Sequence, residues 1–203
     1  MAMTPSSSSG NLRRRLGSTA LTAVLAIAAL TLALVGTASA ERGSPPELGK
    51  LFQRAVSIVH GTNRPTYAKA RMLEADGAPK NGKLANSAAD IVKWYFVLDN
   101  QPSESAYATA TIKYLAGSGF KQVVGHRAVY TEDLVIPKAP KMTLEQAVAR
   151  LRRAGQKAGF SAVVLRNPLG PSTNSKPLYV FTMANGSFYG VNTVTGKVAP
   201  LAG

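Results

Sequence analysis

The clearest local pattern of the chain is a hairpin near its C-terminal end. Apolar residues run from Leu178 to Ala184, the pair Asn185-Gly186 tolerates positive φ, and Ser187 to Val194 is rich in aromatic and β-branched residues. An Asn-Gly pair between two such runs is typical of a tight hairpin turn. We therefore predict two antiparallel strands here, followed by a short strand that ends near Leu201.

Two amphipathic helices are predicted, each with a capping signal. Ser44, Pro45 and Glu47 form the start of the first helix, and Thr143 with Gln146 forms a capping box for the second. Apolar residues at three- and four-residue steps give each helix one buried stripe. The two stripes are Leu48, Leu51, Phe52, Ala55, Val56 and Val59, and Leu144, Ala147, Val148, Leu151, Ala154 and Ala158. The glycines predicted to end the helices are Gly61 and Gly159.

The remaining chain is predicted to form strands joined by polar loops. Alternating apolar positions place strands at 64–75, 91–100, 106–115, 120–125 and 160–166. Clusters of Gly, Pro, Asn and Ser predict loops at 76–89 and 167–177. Residues 126–141, which contain two prolines, are predicted to be an extended connection.

The two halves of the chain share one order of elements, which suggests an internal repeat. Trp94 to Asn100 aligns with Tyr179 to Asn185, and the six apolar residues of these strands are assigned to the core. Each half offers one helix stripe to one apolar sheet face, the two-layer arrangement of α+β proteins. We therefore expect an α+β fold of two tandem units, 41–136 and 137–203, each one helix packed on a small antiparallel sheet.

Residues 1–40 have the order of a secretory signal peptide. Arg13 to Arg15 precede an apolar run from Thr19 to Gly36, and Ala38-Ser39-Ala40 matches a cleavage site. Cleavage after Ala40 predicts a secreted or cell-surface protein. The alternative is an uncleaved membrane anchor, because the run is close to the ~20 residues that span a bilayer.

Charge and cysteine content narrow the possible functions. The chain has 24 Lys and Arg against 10 Asp and Glu, a formal net charge of +14, and no cysteine. Thiol catalysis, thiolate metal sites and disulfides are therefore excluded. A secreted protein this basic is expected to attract anionic polymers or phospholipid head groups, although the charge could equally serve only solubility.

Two basic groups are candidate binding surfaces. The densest comprises Arg150, Arg152, Arg153 and Lys157, which could hold phosphate or carboxylate groups or form the solvated face of the helix. The second comprises Lys93, Tyr95, Tyr107 and Lys113 on the outer face of the first sheet. Such a surface also suits single-stranded nucleic acid, but the export signal makes nucleic acid an unexpected partner.

No catalytic or metal-binding motif is found, so we predict no enzyme, no cofactor and no metal. His60 and His126 are the two histidines, and neither has metal-ligand spacing. His60 is expected to interact with the dipole at the end of the first helix. His126 lies beside Arg127 and before Glu132 and Asp133. A surface ion pair is expected there, and a hydrolase that uses His126 is the remaining alternative.

The second half resembles a PepSY-type domain. The resemblance covers residues 141–201 and is carried by MTLEQAVARLRRAG, FSAVVLR and LYVFTMANGSFYGVNTVTGKV; a diverged second copy would span 44–125, although it lacks the closing TGKV. The resemblance implies a non-catalytic module, found in peptidase propeptides, that restrains peptidases or binds cell-envelope partners. No peptidase domain follows in this sequence, so the partner would be a separate extracellular protein, such as a peptidase, or an anionic envelope polymer.

Overall fold

A computed structural model describes residues 46–100, 106–130, 133–169 and 176–202, all within the unit Ala40–Gly203. The predicted signal peptide, Ser44 and Pro45 lie outside the described residues. The helices are α1 (Leu48–Thr62), α2 (Arg64–Tyr67) and α3 (Leu144–Arg153), with a 3-10 turn at Ala88–Asp90. The strands are β1 (Arg71–Pro79), β2 (Ile91–Asp99), β3 (Thr109–Leu115), β4 (Gly119–Phe120), β5 (Val124–His126), β6 (Phe160–Arg166), β7 (Leu178–Met183), β8 (Phe188–Asn192) and β9 (Val198–Leu201).

The nine strands of the described chain form one antiparallel sheet. Its order is β4-β3-β2-β1-β6-β7-β8-β9, and β5 pairs with β3. β1 and β6 join the two halves, with Glu74 opposite Arg166 and Gly77 opposite Val163. The predicted α+β fold of two tandem units, each with its own small sheet, is therefore wrong, because one large sheet dominates the structure. Pairing of β1 with β6 satisfies backbone groups that two separate sheets would leave at exposed edges.

One hydrophobic core lies between the sheet and the helices. It contains buried residues of α1 and α3 together with residues from strands of both halves. The six strand residues assigned to the core are buried, as predicted: Trp94, Phe96, Leu98, Tyr179, Phe181 and Met183. Of the predicted helix stripes, the residues buried in α1 and α3 are Leu48, Leu51, Phe52, Ala55, Val59, Leu144, Ala147, Val148 and Leu151.

The ends of the helices were predicted with mixed success. Thr143 Oγ1 accepts a hydrogen bond from Gln146 N at 3.2 Å, and Gln146 Oε1 accepts one from Thr143 N at 3.0 Å, which confirms the capping box. Glu47 is the N-cap of α1 but makes no side-chain cap bond, and α1 continues through Gly61 to Thr62. α3 ends at Arg153, before the predicted Gly159, because Gly155 adopts the left-handed conformation with φ 88°.

The first strand lies later in the chain than predicted. Arg64–Tyr67 is a helical turn, and β1 runs from Arg71 to Pro79 through residues that were expected to form a loop. Gly77, a predicted loop residue, is a strand residue that lies against Trp94. The predicted strand at 120–125 is divided into β4 and β5. The hairpin at Asn185-Gly186 is confirmed, with Gly186 at φ 81° between β7 and β8.

One face of the sheet packs against α1 and α3, and we call the opposite face the open face. Part of the chain crosses one half of the open face. This crossing segment comprises residues 127–130 and 133–136 of the predicted extended connection. Ala128 O accepts a hydrogen bond from Thr109 Oγ1 at 2.8 Å, and Tyr130 Oη donates one to Glu74 Oε2 at 2.5 Å. Ile136 then enters the core, and its backbone N donates to Met72 O at 2.8 Å.

Candidate functional site

The uncovered half of the open face contains a groove of about 680 Å³. Its floor is formed by Tyr95 of β2 and by Ala162 and Val164 of β6, whose side chains are partly buried. The strand register explains this grouping. Asp76 of β1 lies opposite both Tyr95 and Val164, so residues distant in sequence meet on one face. The volume falls within the ~300–1,000 Å³ of typical ligand pockets.

Three lysines line this groove, which we call the lysine groove. Lys93 lies on β2, Lys113 on β3, and Lys121 follows β4, where its backbone N donates to Lys113 O at 2.8 Å. Lys113 Nζ lies 5.5 Å from the centre of the Tyr95 ring, a cation–π distance. Lys93 Nζ donates a hydrogen bond to Asn81 Oδ1. Among the described residues, no carboxylate forms an ion pair with any of the three lysines.

A second basic depression adjoins the groove. It has a volume of about 390 Å³ and is lined by the loop after β1, including Lys80 and Lys83. Lys93 lines both cavities, so it connects them. Lys80 and Lys83 are exposed. Five lysines therefore surround one end of the open face.

An acidic cluster bounds the other end of the groove, next to Tyr130 and Asp133 of the crossing segment. Glu74 and Asp76 project from β1, and Arg166 Nε donates to Asp133 Oδ1 at 2.9 Å. Asp133 is buried, with 0 % of its side chain exposed. Burial, followed by the charge and hydrogen bond of Glu74, raises the pKa of Asp76 to about 7, although Arg166 opposes the shift. Asp76 is therefore a group at the groove that changes charge near neutral pH.

The crossing segment is held by a hydroxyl as well as by the ion pair. Burial, and then the hydrogen bond to Glu74, raises the pKa of the Tyr130 hydroxyl. Tyr130 therefore keeps its proton and remains a donor to the Glu74 carboxylate at physiological pH. The acidic cluster holds the crossing segment, and its residue Asp76 can take up or release a proton. Because carboxylates repel anions, this end of the groove does not suit an anionic ligand.

The predicted cluster of Arg150, Arg152, Arg153 and Lys157 does not converge on one point. Arg152 donates hydrogen bonds to the backbone oxygens of Gln156 at 2.7 Å and Ala158 at 2.5 Å. Its guanidinium also lies 6.0 Å from the Phe160 ring centre. Arg150 packs beside the Gly196 turn, while Arg153 and Lys157 are exposed. Arg152 thus closes the end of α3, and anion binding by the cluster stays a prediction.

The two histidines make structural contacts. His60 Nε2 lies 2.7 Å from Ala70 O, and His126 Nε2 lies 2.9 Å from Thr111 Oγ1. Asp133, expected near His126, pairs with Arg166, and Glu132 lies outside the described residues. Among the described residues, neither histidine contacts a carboxylate, and the alternative of a hydrolase that uses His126 stays a prediction.

The second predicted surface is confirmed in part. Lys93, Tyr95 and Lys113 lie together in the lysine groove, whereas Tyr107 lies near Tyr67, with ring centres 6.4 Å apart. Sequence reasoning missed Asp76, because its neighbours Gly77 and Pro79 favoured a loop. It also missed Lys121, Ala162 and Val164. Alternation in 160–166 places Ala162 and Val164 on one face, but only the β1–β6 pairing brings that face to the lysines.

Within the described ranges, no three His, Asp or Glu side chains are placed to hold a metal ion. No helix in that part of the chain combines the length and apolar character needed to cross a membrane. Comparison with family models, with curated proteins and with solved structures found no match for this chain.

Proposed function

We propose that the chain is a secreted, non-catalytic binding protein whose lysine groove holds an anionic molecule of the cell envelope. The observation that carries this proposal is the position of Lys93, Lys113 and Lys121 around one cavity without a carboxylate partner among the described residues. Clustered cations without a neutralising carboxylate favour a bound anion.

The charge of the whole protein supports the same ligand class. Without the three arginines of the predicted signal peptide, 21 Lys and Arg against 10 Asp and Glu give a formal net charge of +11, which attracts anions toward the surface, although physiological salt screens this field over ~8 Å. Within the groove, each ammonium can donate charge-assisted hydrogen bonds, which are about twice as strong as neutral ones. Long-range attraction and local recognition therefore act on the same partner.

The peptidase partner that the PepSY resemblance implies stays a separate prediction. The resemblance supports a non-catalytic binding role, which agrees with the proposal, but it does not select between a protein and a polymer. A pull-down from envelope fractions would test it directly, because recovery of one specific peptidase would favour the protein partner.

The lysine groove can be tested by charge reversal with a matched control. The triple variant Lys93→Glu, Lys113→Glu and Lys121→Glu should lose binding to polyglycerol phosphate, an anionic polymer, in a salt-dependent binding assay. The control triple variant, Arg150→Glu, Arg153→Glu and Lys157→Glu, makes the same charge change at the end of α3 and should retain most of the binding. Unchanged binding by the groove variant would contradict the proposal. Selective loss in the control would assign the site to α3.

A further inference from the structure

We infer that the natural ligand of the lysine groove is an amphiphile with one anionic head group and a single acyl chain. This inference rests on the proposed function, because it names the ligand class of the same groove. The lysines would hold the head group, and the apolar floor would hold the chain.

The floor of the lysine groove continues as an apolar path across the sheet. Val164 lies opposite Val180 of β7, Val180 opposite Gly190 of β8, and Gly190 opposite Ala199 of β9. These four positions alternate along their strands with residues that lie in or against the core, so they belong to the open face. Between Tyr95 and Val164 the row passes over Asp76 of β1, so the apolar path proper starts at β6. From β6 to β9 it crosses three strand spacings, about 14 Å at ~4.8 Å per strand. This distance suits an extended chain.

A second cavity lies along this path. It has a volume of about 390 Å³ and is lined mainly by apolar residues, among them Leu178, Val180, Phe188 and Leu201, and by the charged Arg166. Phe188 and Leu201 lie opposite each other on β8 and β9, and both are partly buried. The apolar surface therefore extends from the lysine groove nearly to the edge of the sheet.

The distribution of charge favours an amphiphile over a free anion or a highly charged polymer. A free phosphate would contact the lysines but leave Tyr95, Ala162 and Val164 exposed to water. A highly charged polymer can also contact the lysines, but it gains nothing from the apolar floor, which it leaves uncovered. An acyl chain instead removes the floor from water, while its head group remains among Lys93, Lys113 and Lys121.

The inference is tested by the dependence of affinity on chain length. Butyrate and dodecanoate carry the same carboxylate, and both are used below the micelle concentration in calorimetric titrations of the unmodified protein. Each buried methylene should raise the affinity about two- to fourfold, in keeping with the ~0.8 kcal/mol of burying one methylene. If dodecanoate bound no more tightly than butyrate, the inference would be overturned.

Two variants test whether the acyl chain lies on the apolar floor of the lysine groove. Ala162→Trp fills the groove beside Val164, so the advantage of dodecanoate over butyrate should disappear. Val194→Trp adds the same side chain at a position that is 67 % exposed in the β8–β9 connection, and it should bind as the unmodified protein does. An unchanged dodecanoate advantage in a folded Ala162→Trp protein would also overturn the inference.

The two proposals fail in different ways. Polymer binding that is unaffected by charge reversal at Lys93, Lys113 and Lys121 would overturn the proposed function. Polymer binding that requires these lysines, combined with equal affinity for butyrate and dodecanoate, would overturn only the inference about the acyl chain. The chain-length series on the unmodified protein needs no variant to fold.

Discussion

Gly77 of β1 lies opposite Trp94 of β2, and a Cβ atom on Gly77 would be only 2.8 Å from the indole ring. The same Cβ would be 2.9 Å from Ile91 Cγ2. Because Trp94 and Ile91 are buried, neither can move away freely. We expect Gly77→Ala to lower the free energy of unfolding by about 1–3 kcal/mol, the usual cost of overpacking. Denaturant unfolding measures this change.

Gly61→Ala is the matched control for this substitution. Gly61 lies in α1, and a Cβ there would meet no atom within 4 Å. Alanine in a helix is about 0.5–1 kcal/mol more favourable than glycine, so this variant should be equally or more stable. If both variants had the same stability, the close approach of Gly77 to Trp94 would not constrain the fold.

Breaking the ion pair between Arg166 and Asp133 should destabilise the protein, because it leaves a buried carboxylate without its cation. Asp133 has 0 % of its side chain exposed, and Arg166 has 29 %. Replacing Arg166 with Met removes the donor at 2.9 Å from a buried charge. We expect a loss of about 1.5–3 kcal/mol in the free energy of unfolding, the value of a hydrogen bond to a charged group.

Arg71 and Asp99 provide a matched pair at the surface. Their nitrogen and oxygen atoms are 2.6 Å apart, but 51 % of the Arg71 side chain is exposed. Arg71→Met should therefore cost less than about 1 kcal/mol, as for other exposed ion pairs. If Arg71→Met and Arg166→Met lowered the free energy of unfolding equally, the burial of Asp133 would not explain the larger effect expected for Arg166.

Asp76 should make stability fall as pH rises toward neutrality. Its pKa is raised from an ordinary value of 3.8 to about 7, first by burial and then by Glu74. The folded protein therefore holds this proton more tightly than the unfolded chain does. The resulting stability is fully present below pH 3.8 and is lost as pH rises to about 7. Asp76→Asn should remove this decrease in unfolding experiments at a series of pH values.

Asp90 is the control, because its pKa is shifted in the opposite direction. Hydrogen bonds, first from the backbone N of Asn86, lower the pKa of Asp90 from 3.8. Its contribution to stability should be present above pH 3.8 and be lost as pH falls through the lowered value. Asp90→Asn should therefore destabilise the protein at neutral pH. If the stability of Asp76→Asn depended on pH as that of the unmodified protein does, the raised pKa of Asp76 would not be the cause of the decrease.

Local features were predictable where residues close in sequence determine them. The capping box of Thr143 and Gln146 and the turn at Asn185-Gly186 depend on neighbours within four residues. The burial of Trp94 and Phe181 follows from alternation along single strands. The position of β1 was predicted wrongly because glycine occurs both in turns and at strand positions packed against a large side chain. The sequence alone does not show that Gly77 lies against the indole ring of Trp94.

The candidate site was predictable only in part, because it combines residues that are close in sequence with residues that are distant. Lys93, Tyr95 and Lys113 belong to two adjacent strands of one hairpin, so alternation placed them on a shared face before the structure was known. Asp76, Ala162 and Val164 join them through pairing between β1 and β6, which are distant in sequence.

By itself, the sequence determined the basic charge, the two amphipathic helices, the capping box of α3, the C-terminal hairpin and the apolar faces of β2 and β7. These properties depend on composition or on short-range periodicity. Only the tertiary structure decided that the two halves share one sheet, since edge strands pair through backbone groups that every residue type supplies. The β1–β6 pairing also decided where the lysine groove lies, because it places Val164 opposite Asp76 and beside the lysines.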